Sequence, residues 1–243
     1  MVQIGKWNIP VDGVGCAKAV QSELFLQWLS RIDPSELDIV FMEILSITET
    51  IRAGMHHVIF ILLRVEMRDG AGKKATRTIF LRGPAVGMLI VLRCEGKEYT
   101  VLTSQARVAI GIRTPEIAAG MLDGCGDFVG AAAREIEEEV GMRISAENLV
   151  DLTQWASEGK WPGVFPSAGA CDEFIRLFLY EGEISREKLD DLNGRLAGLA
   201  EEHEYIIVSV IPLEDLPRRT PDMKALSAYC LYEARKKQLA VMA

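Results

Sequence analysis

One segment constrains this chain more than any other. Gly120, Gly124, Gly126 and Gly130 crowd a short stretch, and behind them the sequence runs Arg134-Glu135-Ile136-Glu137-Glu138-Glu139-Val140-Gly141-Met142. The glycines read as a loop. The spacing beyond them predicts a helix over 129–140, closed by Gly141, because glycine takes the left-handed conformation that ends helices without steric cost. On that helix Glu135, Glu138 and Glu139 stand at i, i+3 and i+4 and share one face, while Ile136 and Val140 share another that packs inward. Like charges so placed repel by roughly 0.2–0.5 kcal/mol per pair. A divalent cation that prefers hard oxygen donors, Mg²⁺ or Mn²⁺, converts that repulsion into coordination. Arg134, one turn before Glu138, is placed to pair with it. An isolated acidic triplet is ordinarily a solvated face; the glycine loop ahead and the glycine stop behind make this a longer pattern.

Around this segment, residues 17–32 show helical spacing and stop at Asp33-Pro34, since the residue before proline avoids the helical region. Residues 37–51 and 57–65 read as strands. A turn at 68–73 joins 58–67 to 76–81 as a hairpin. After the boundary at Gly83-Pro84, residues 85–93 and 99–105 form a strand pair. Strands are expected at 149–155, 173–180 and 205–211, and helices at 185–196, opened by Ser185, and 222–239. Strands flanked by helices imply an α/β or α+β domain from about residue 84. No apolar run approaches the ~18–20 residues of a membrane span.

Charge narrows the function. With 35 acidic and 27 basic residues, the formal net charge is −8. Nucleic-acid binding by counterion release is disfavoured. An acidic chain that handles an anionic substrate needs a metal or local arginines. The five cysteines, Cys16, Cys94, Cys125, Cys171 and Cys230, are an odd, scattered set without a CxxC pair, which points to free thiols in a reducing compartment. No signal peptide is evident and the N-terminus is poor in Arg and Ser, so a cytoplasmic location is expected. His56 and His57 are neighbours on a strand and face opposite sides, so they do not suggest a zinc site. Trp28, Trp155 and Trp161 read as packing residues before base-stacking ones.

The sequence from Gly120 to Met142 resembles the Nudix box, G-x5-E-x7-R-E-U-x-E-E-x-G-U, with U aliphatic. Gly120 supplies the first glycine and Arg134–Met142 the whole second half; the first glutamate of the motif falls on Gly126. That glutamate ordinarily supports the motif arginine, so its replacement bears on the arginine's surroundings rather than on the metal ligands. Further segments, Phe80–Val86, Gln105-Ala106-Arg107, Gly120–Asp123, Gly126–Gly130 and Phe165–Glu173, look like the nucleoside-diphosphate-sugar branch, which includes plant-type ADP-sugar and animal UDP-sugar diphosphatases. The resemblance implies an α/β/α sandwich Nudix domain over 84–243. Residues 1–83 would be an N-terminal helix and antiparallel-strand extension that serves dimerisation and lines the substrate site, making the protein a homodimer.

Carried over residue by residue, the resemblance makes Glu135, Glu138 and Glu139 metal ligands together with the backbone carbonyl of Ala119. Arg107 matches an arginine that contacts the diphosphate. Glu173 is a candidate contact to ribose or sugar. The catalytic base in this branch precedes a late strand; Glu204 aligns best and Glu202 is the second candidate. Glu116 and Asp123 are candidates to support the ligands. The activity implied is Mg²⁺- or Mn²⁺-dependent hydrolysis of an ADP-sugar, ADP-glucose or ADP-ribose, to AMP plus a sugar phosphate. UDP-glucose is the alternative substrate. A non-catalytic nucleotide-sugar sensor, supported only by Gly126, and hydrolysis of RNA-linked phosphates, disfavoured by the charge, are the competing readings.

Overall fold

A computed structural model of the chain describes residues 1–4, 7–52, 54–69, 71–122, 127–198 and 205–242. Its contacts gather into two compact units, Met1–Pro84 with Phe165–Phe174, and Ala85–Val164 with Ile175–Ala243.

The first unit begins with β1 (Val2–Ile4) and β2 (Trp7–Ile9), an antiparallel pair. It continues through β3 (Val11–Gly13), α1 (Cys16–Gln21), α2 (Glu23–Ser30), β4 (Asp38–Arg52), β5 (Met55–Arg68) and β6 (Lys74–Leu81). The strands β3-β4-β5-β6 form one sheet, β3 parallel to β4 and the rest antiparallel. Phe25, Met42, Ile44, Ile61, Leu63 and Leu81 are its buried core. The single helix expected over 17–32 is two helices. Ser22 is extended (φ −70°, ψ 144°), and its hydroxyl donates to Ala19 O at 2.6 Å and accepts from Phe25 N–H at 3.2 Å. Serine competes with the helix backbone in this way, ending one helix and capping the next. Phe165–Phe174 belongs with this unit, although sequence spacing leaves it in the C-terminal domain. Asp172 anchors it, accepting from the backbone N–H groups of Arg82 (2.8 Å) and Gly83 (3.1 Å) and from the Arg31 guanidinium (2.8 Å).

The second unit holds β7 (Ala85–Cys94), β8 (Lys97–Arg107), β9 (Ile112–Glu116), β10 (Ala118–Met121), α3 (Phe128–Val140), β11 (Leu149–Asp151), α4 (Leu152–Ser157), β12 (Ile175–Glu183), α5 (Arg186–Leu192), β13 (Leu196–Ala197), β14 (Ile206–Pro212), α6 (Leu216–Arg219) and α7 (Met223–Met242). Its sheet runs β11-β12-β7-β8-β14-β13, with β10 on β7 and β9 on β8. Among the described residues of this sheet, only the β12–β7 pair is parallel. Nine of the ten residues of β7 are buried, as expected of a strand covered on both faces. On one face Val86, Met88 and Ile90 meet Ala132, Ile136 and Val140 of α3 and Leu189 of α5. On the other, Leu89 and Val91 meet Leu152 of α4, Leu216 of α6, and Ala225, Ala228 and Tyr232 of α7. Helices on both faces of a central sheet make an α/β/α sandwich.

Two expected elements end early. The strand expected over 149–155 is strand only to Asp151, whose carboxylate accepts from Gln154 N–H at 2.8 Å and opens α4. The helix expected over 185–196 stops at Leu192. Asn193 leaves it to accept from Val210 N–H at 2.9 Å, and Leu196 pairs with Ile207 as a strand.

Candidate active site

The site is built on α3 and β10. Asp127 caps α3, its carboxylate accepting from Gly130 N–H at 2.9 Å; a Cβ at Gly130 would collide with that carboxylate. Gly141 ends the helix at φ 75°, a conformation costly for any residue with a Cβ. Between these two stops the buried stripe Ala131, Ala132, Ile136 and Val140 faces β7 and sets the rotation of the helix. The carboxylates follow from that rotation. Glu139 lies beside the stripe and is buried, at 7% exposure, Glu135 is half-buried, and Glu138 is exposed.

Both inner carboxylates meet β10. Ala119 N–H donates to Glu139 Oε2 at 3.1 Å. In an extended strand a residue's N–H and C=O point to the same side, so the Ala119 carbonyl points away from β7, toward the side on which Glu139 sits. Gly120 faces α3, and a Cβ there would occupy the position of the Glu135 carboxylate. Glycine is therefore the only residue that lets this carboxylate lie against the strand. Glu135 and Glu139 together bracket Ala119-Gly120. The donors are hard oxygens, the set that suits a divalent cation of the Mg²⁺ type. Among the described residues no three His, Cys, Asp or Glu side chains are already gathered around one point; Glu138 is the carboxylate turned outward.

Arg107, at the end of β8, forks onto Glu116 of β9, with Nε to Oε1 at 2.7 Å and Nη2 to Oε2 at 3.0 Å. Nη1 lies outside this fork. Glu116 Oε2 also accepts from Lys224 Nζ at 2.9 Å, and Lys224 in turn contacts Asp222 Oδ1 at 2.9 Å. Burial alone would raise the Glu116 carboxyl, but the Arg107 hydrogen bond and the Lys224 charge outweigh it and hold it at about 2. Arg107 is raised, first by its hydrogen bond to Glu116 and further by the charges of Glu116, Glu139 and Asp222. Arg107 thus shares an electrostatic neighbourhood with Glu139.

Other expectations fare differently. Arg134 forms no ion pair with Glu138; among the described residues it has no salt-bridge partner. Glu173 lies in the first unit, 3.4 Å from Arg82 Nε. Glu202, Glu204, Asp123 and Gly126 lie outside the described residues. Trp28 packs against Phe25, ring centroids 5.5 Å apart, in the core of the first unit. Lys224 and Asp222 were not singled out by sequence. Thr220-Pro221-Asp222 signals a helix start, but nothing local links it to Glu116.

Comparison with known proteins places the chain in a family. Residues 81–231 match the NUDIX domain. Nudix hydrolase 14, chloroplastic, of Arabidopsis thaliana is 38% identical over 226 residues, covering 90% of this chain and 73% of that protein. The ADP-ribose pyrophosphatase of Bacillus subtilis (strain 168) is 26% identical over 175 residues, covering 72% of this chain and 82% of that protein. A crystal structure of an ADP compounds hydrolase shares the fold at TM-score 0.51 and 16% identity, covering 83% of this chain and 96% of that one. The chain belongs to the Nudix hydrolase family.

Proposed function

We propose that this enzyme hydrolyses the diphosphate of an ADP-sugar, ADP-ribose or ADP-glucose, to AMP and a sugar phosphate, with Mg²⁺ or Mn²⁺ as cofactor. The bracketing of Ala119-Gly120 by Glu139 and Glu135 carries this reading. The name of the Bacillus subtilis relative, an ADP-ribose pyrophosphatase, supports the adenine nucleotide. Glu135, Glu138, Glu139 and the Ala119 carbonyl would hold the metal, which supplies charge neutralisation and an acidified water for attack on phosphorus. The chain's own contribution is placement. The buried stripe of α3 fixes the carboxylates, and Arg107, held by Glu116 through one edge of its guanidinium, has Nη1 outside that fork to take a phosphate oxygen. Glu204 or Glu202 would accept the proton of the attacking water, and Glu173 would contact the sugar. A homodimer and a cytoplasmic location complete the proposal. The first is supported by the exposed Ile51 and Met55 on β4 and β5, the second by the scattered cysteines.

The test is a turnover panel of ADP-ribose, ADP-glucose and UDP-glucose with Mg²⁺ or Mn²⁺, in ¹⁸O-water with products weighed by mass spectrometry. AMP plus a singly labelled product set from an ADP-sugar supports the reading. Preference for UDP-glucose replaces the base assignment, and tight binding without turnover makes the protein a sensor.

A further inference from the structure

The α7 end of the charged network is not part of the family box, and it does something that simple packing does not require. Lys224 is mostly enclosed, its side chain 16% exposed, and an enclosed ammonium persists only where carboxylates compensate it. It has two. Its Nζ lies 2.9 Å from Glu116 Oε2, the oxygen that also accepts from Arg107 Nη2, and 2.9 Å from Asp222 Oδ1. Asp222 is itself fixed, with Oδ1 accepting from Lys224 N–H at 3.0 Å and Oδ2 accepting from Ile117 N–H at 3.2 Å. Ile117 joins β9 to β10, one residue from Glu116 and two from Ala119. The network therefore ties the first turn of α7 both to the carboxylate that orients Arg107 and to the strand that carries Ala119-Gly120.

Its charge matters as much as its geometry. Arg107 and Lys224 balance Glu116 and Asp222, leaving the quartet neutral. Removing the lysine charge alone would leave a net negative charge beside Arg107 and let Glu116 draw fully on its guanidinium. We propose that Lys224, seated by Asp222, is a positioning residue for Arg107. By taking part of the Glu116 charge it keeps the guanidinium oriented and available to the diphosphate of a nucleotide. The inference rests on the proposed diphosphatase reading and on the phosphate-contacting role of Arg107 in it.

A double-mutant cycle tests it. Wild type, Arg107→Ala, Lys224→Met and the double variant are compared in KM and kcat for ADP-ribose with Mg²⁺, and in Kd for ADP in EDTA. Lys224→Met is expected to raise KM and the ADP Kd about tenfold, the effect of a lost charge-assisted interaction, with kcat nearly unchanged. On the Arg107→Ala background it should add almost nothing. Lys224→Arg should restore most of the affinity. Lys224→Gln, which removes the same charge but keeps a polar side chain beside Glu116 and Asp222, is expected to give the same KM shift and carries the test should Lys224→Met fail to fold. Penalties that add fully across the cycle, or an unchanged KM and Kd in a folded variant, overturn the assignment. Failure of the diphosphatase reading has a different signature, a wild type that turns over no nucleotide sugar while the ADP-binding cycle still shows the coupling.

Discussion

Glu116 shows how one side chain is committed by its neighbours. Held at about 2 by Arg107 and Lys224 against its own burial, it is ionised throughout the neutral range. Its folded pKa lies below the unfolded value of 4.5, so it contributes stability that is complete above about pH 5 and is lost as pH falls from 4.5 toward 2. The stability difference between wild type and Glu116→Gln, read from urea unfolding at a series of pH values, is expected to be largest near neutrality and to shrink through that window. A difference independent of pH would contradict the ion-pair account. The placement of the box residues on α3 was legible in sequence because helical spacing sets it. Glu116 was only partly so. Its partner Lys224 is 108 residues away, and no local pattern announces a pairing that the topology of β9 and α7 creates.

At the scale of elements, α3 is specified by its ends as much as by its apolar stripe. Asp127→Ala removes the side-chain acceptor for Gly130 N–H and should cost about 1 kcal/mol, measured as a lower urea midpoint; an unchanged midpoint would mean the cap contributes nothing. The inward face at Ile136 and Val140 and the stop at Gly141 could be read directly, since period and breaker agree there; Ala131 and Ala132 extend that face in the structure. Sequence reading failed where a polar side chain outcompeted an apolar pattern. Ser22 splits a run with uninterrupted helical spacing, and Asp151 turns an apolar strand pattern into a helix after three residues. In both cases the deciding interaction is a side-chain hydrogen bond to the backbone three residues ahead, a short signal that the longer apolar periodicity obscures.

At the scale of the whole molecule, the sandwich brings residues from β8, β9, β10, α3 and α7 to one site. Under the proposed function, an acidic chain would handle a diphosphate there because Arg107 and Lys224 balance Glu116 and Asp222, while the carboxylates of α3 would hold a cation. The homodimer proposed here predicts a single species near twice the 26.9 kDa chain mass in light scattering, unchanged on dilution through the micromolar range. A monomer mass throughout would remove the N-terminal unit from any role in dimerisation. The claim on which the rest depends is that the carboxylates flanking Ala119-Gly120 hold the catalytic metal. It is tested most directly by the Mg²⁺-dependent kcat of Glu139→Gln on the best nucleotide sugar. A fall of about a hundredfold or more, in a variant with wild-type secondary structure, is the result predicted; near-wild-type turnover at saturating Mg²⁺ would contradict it.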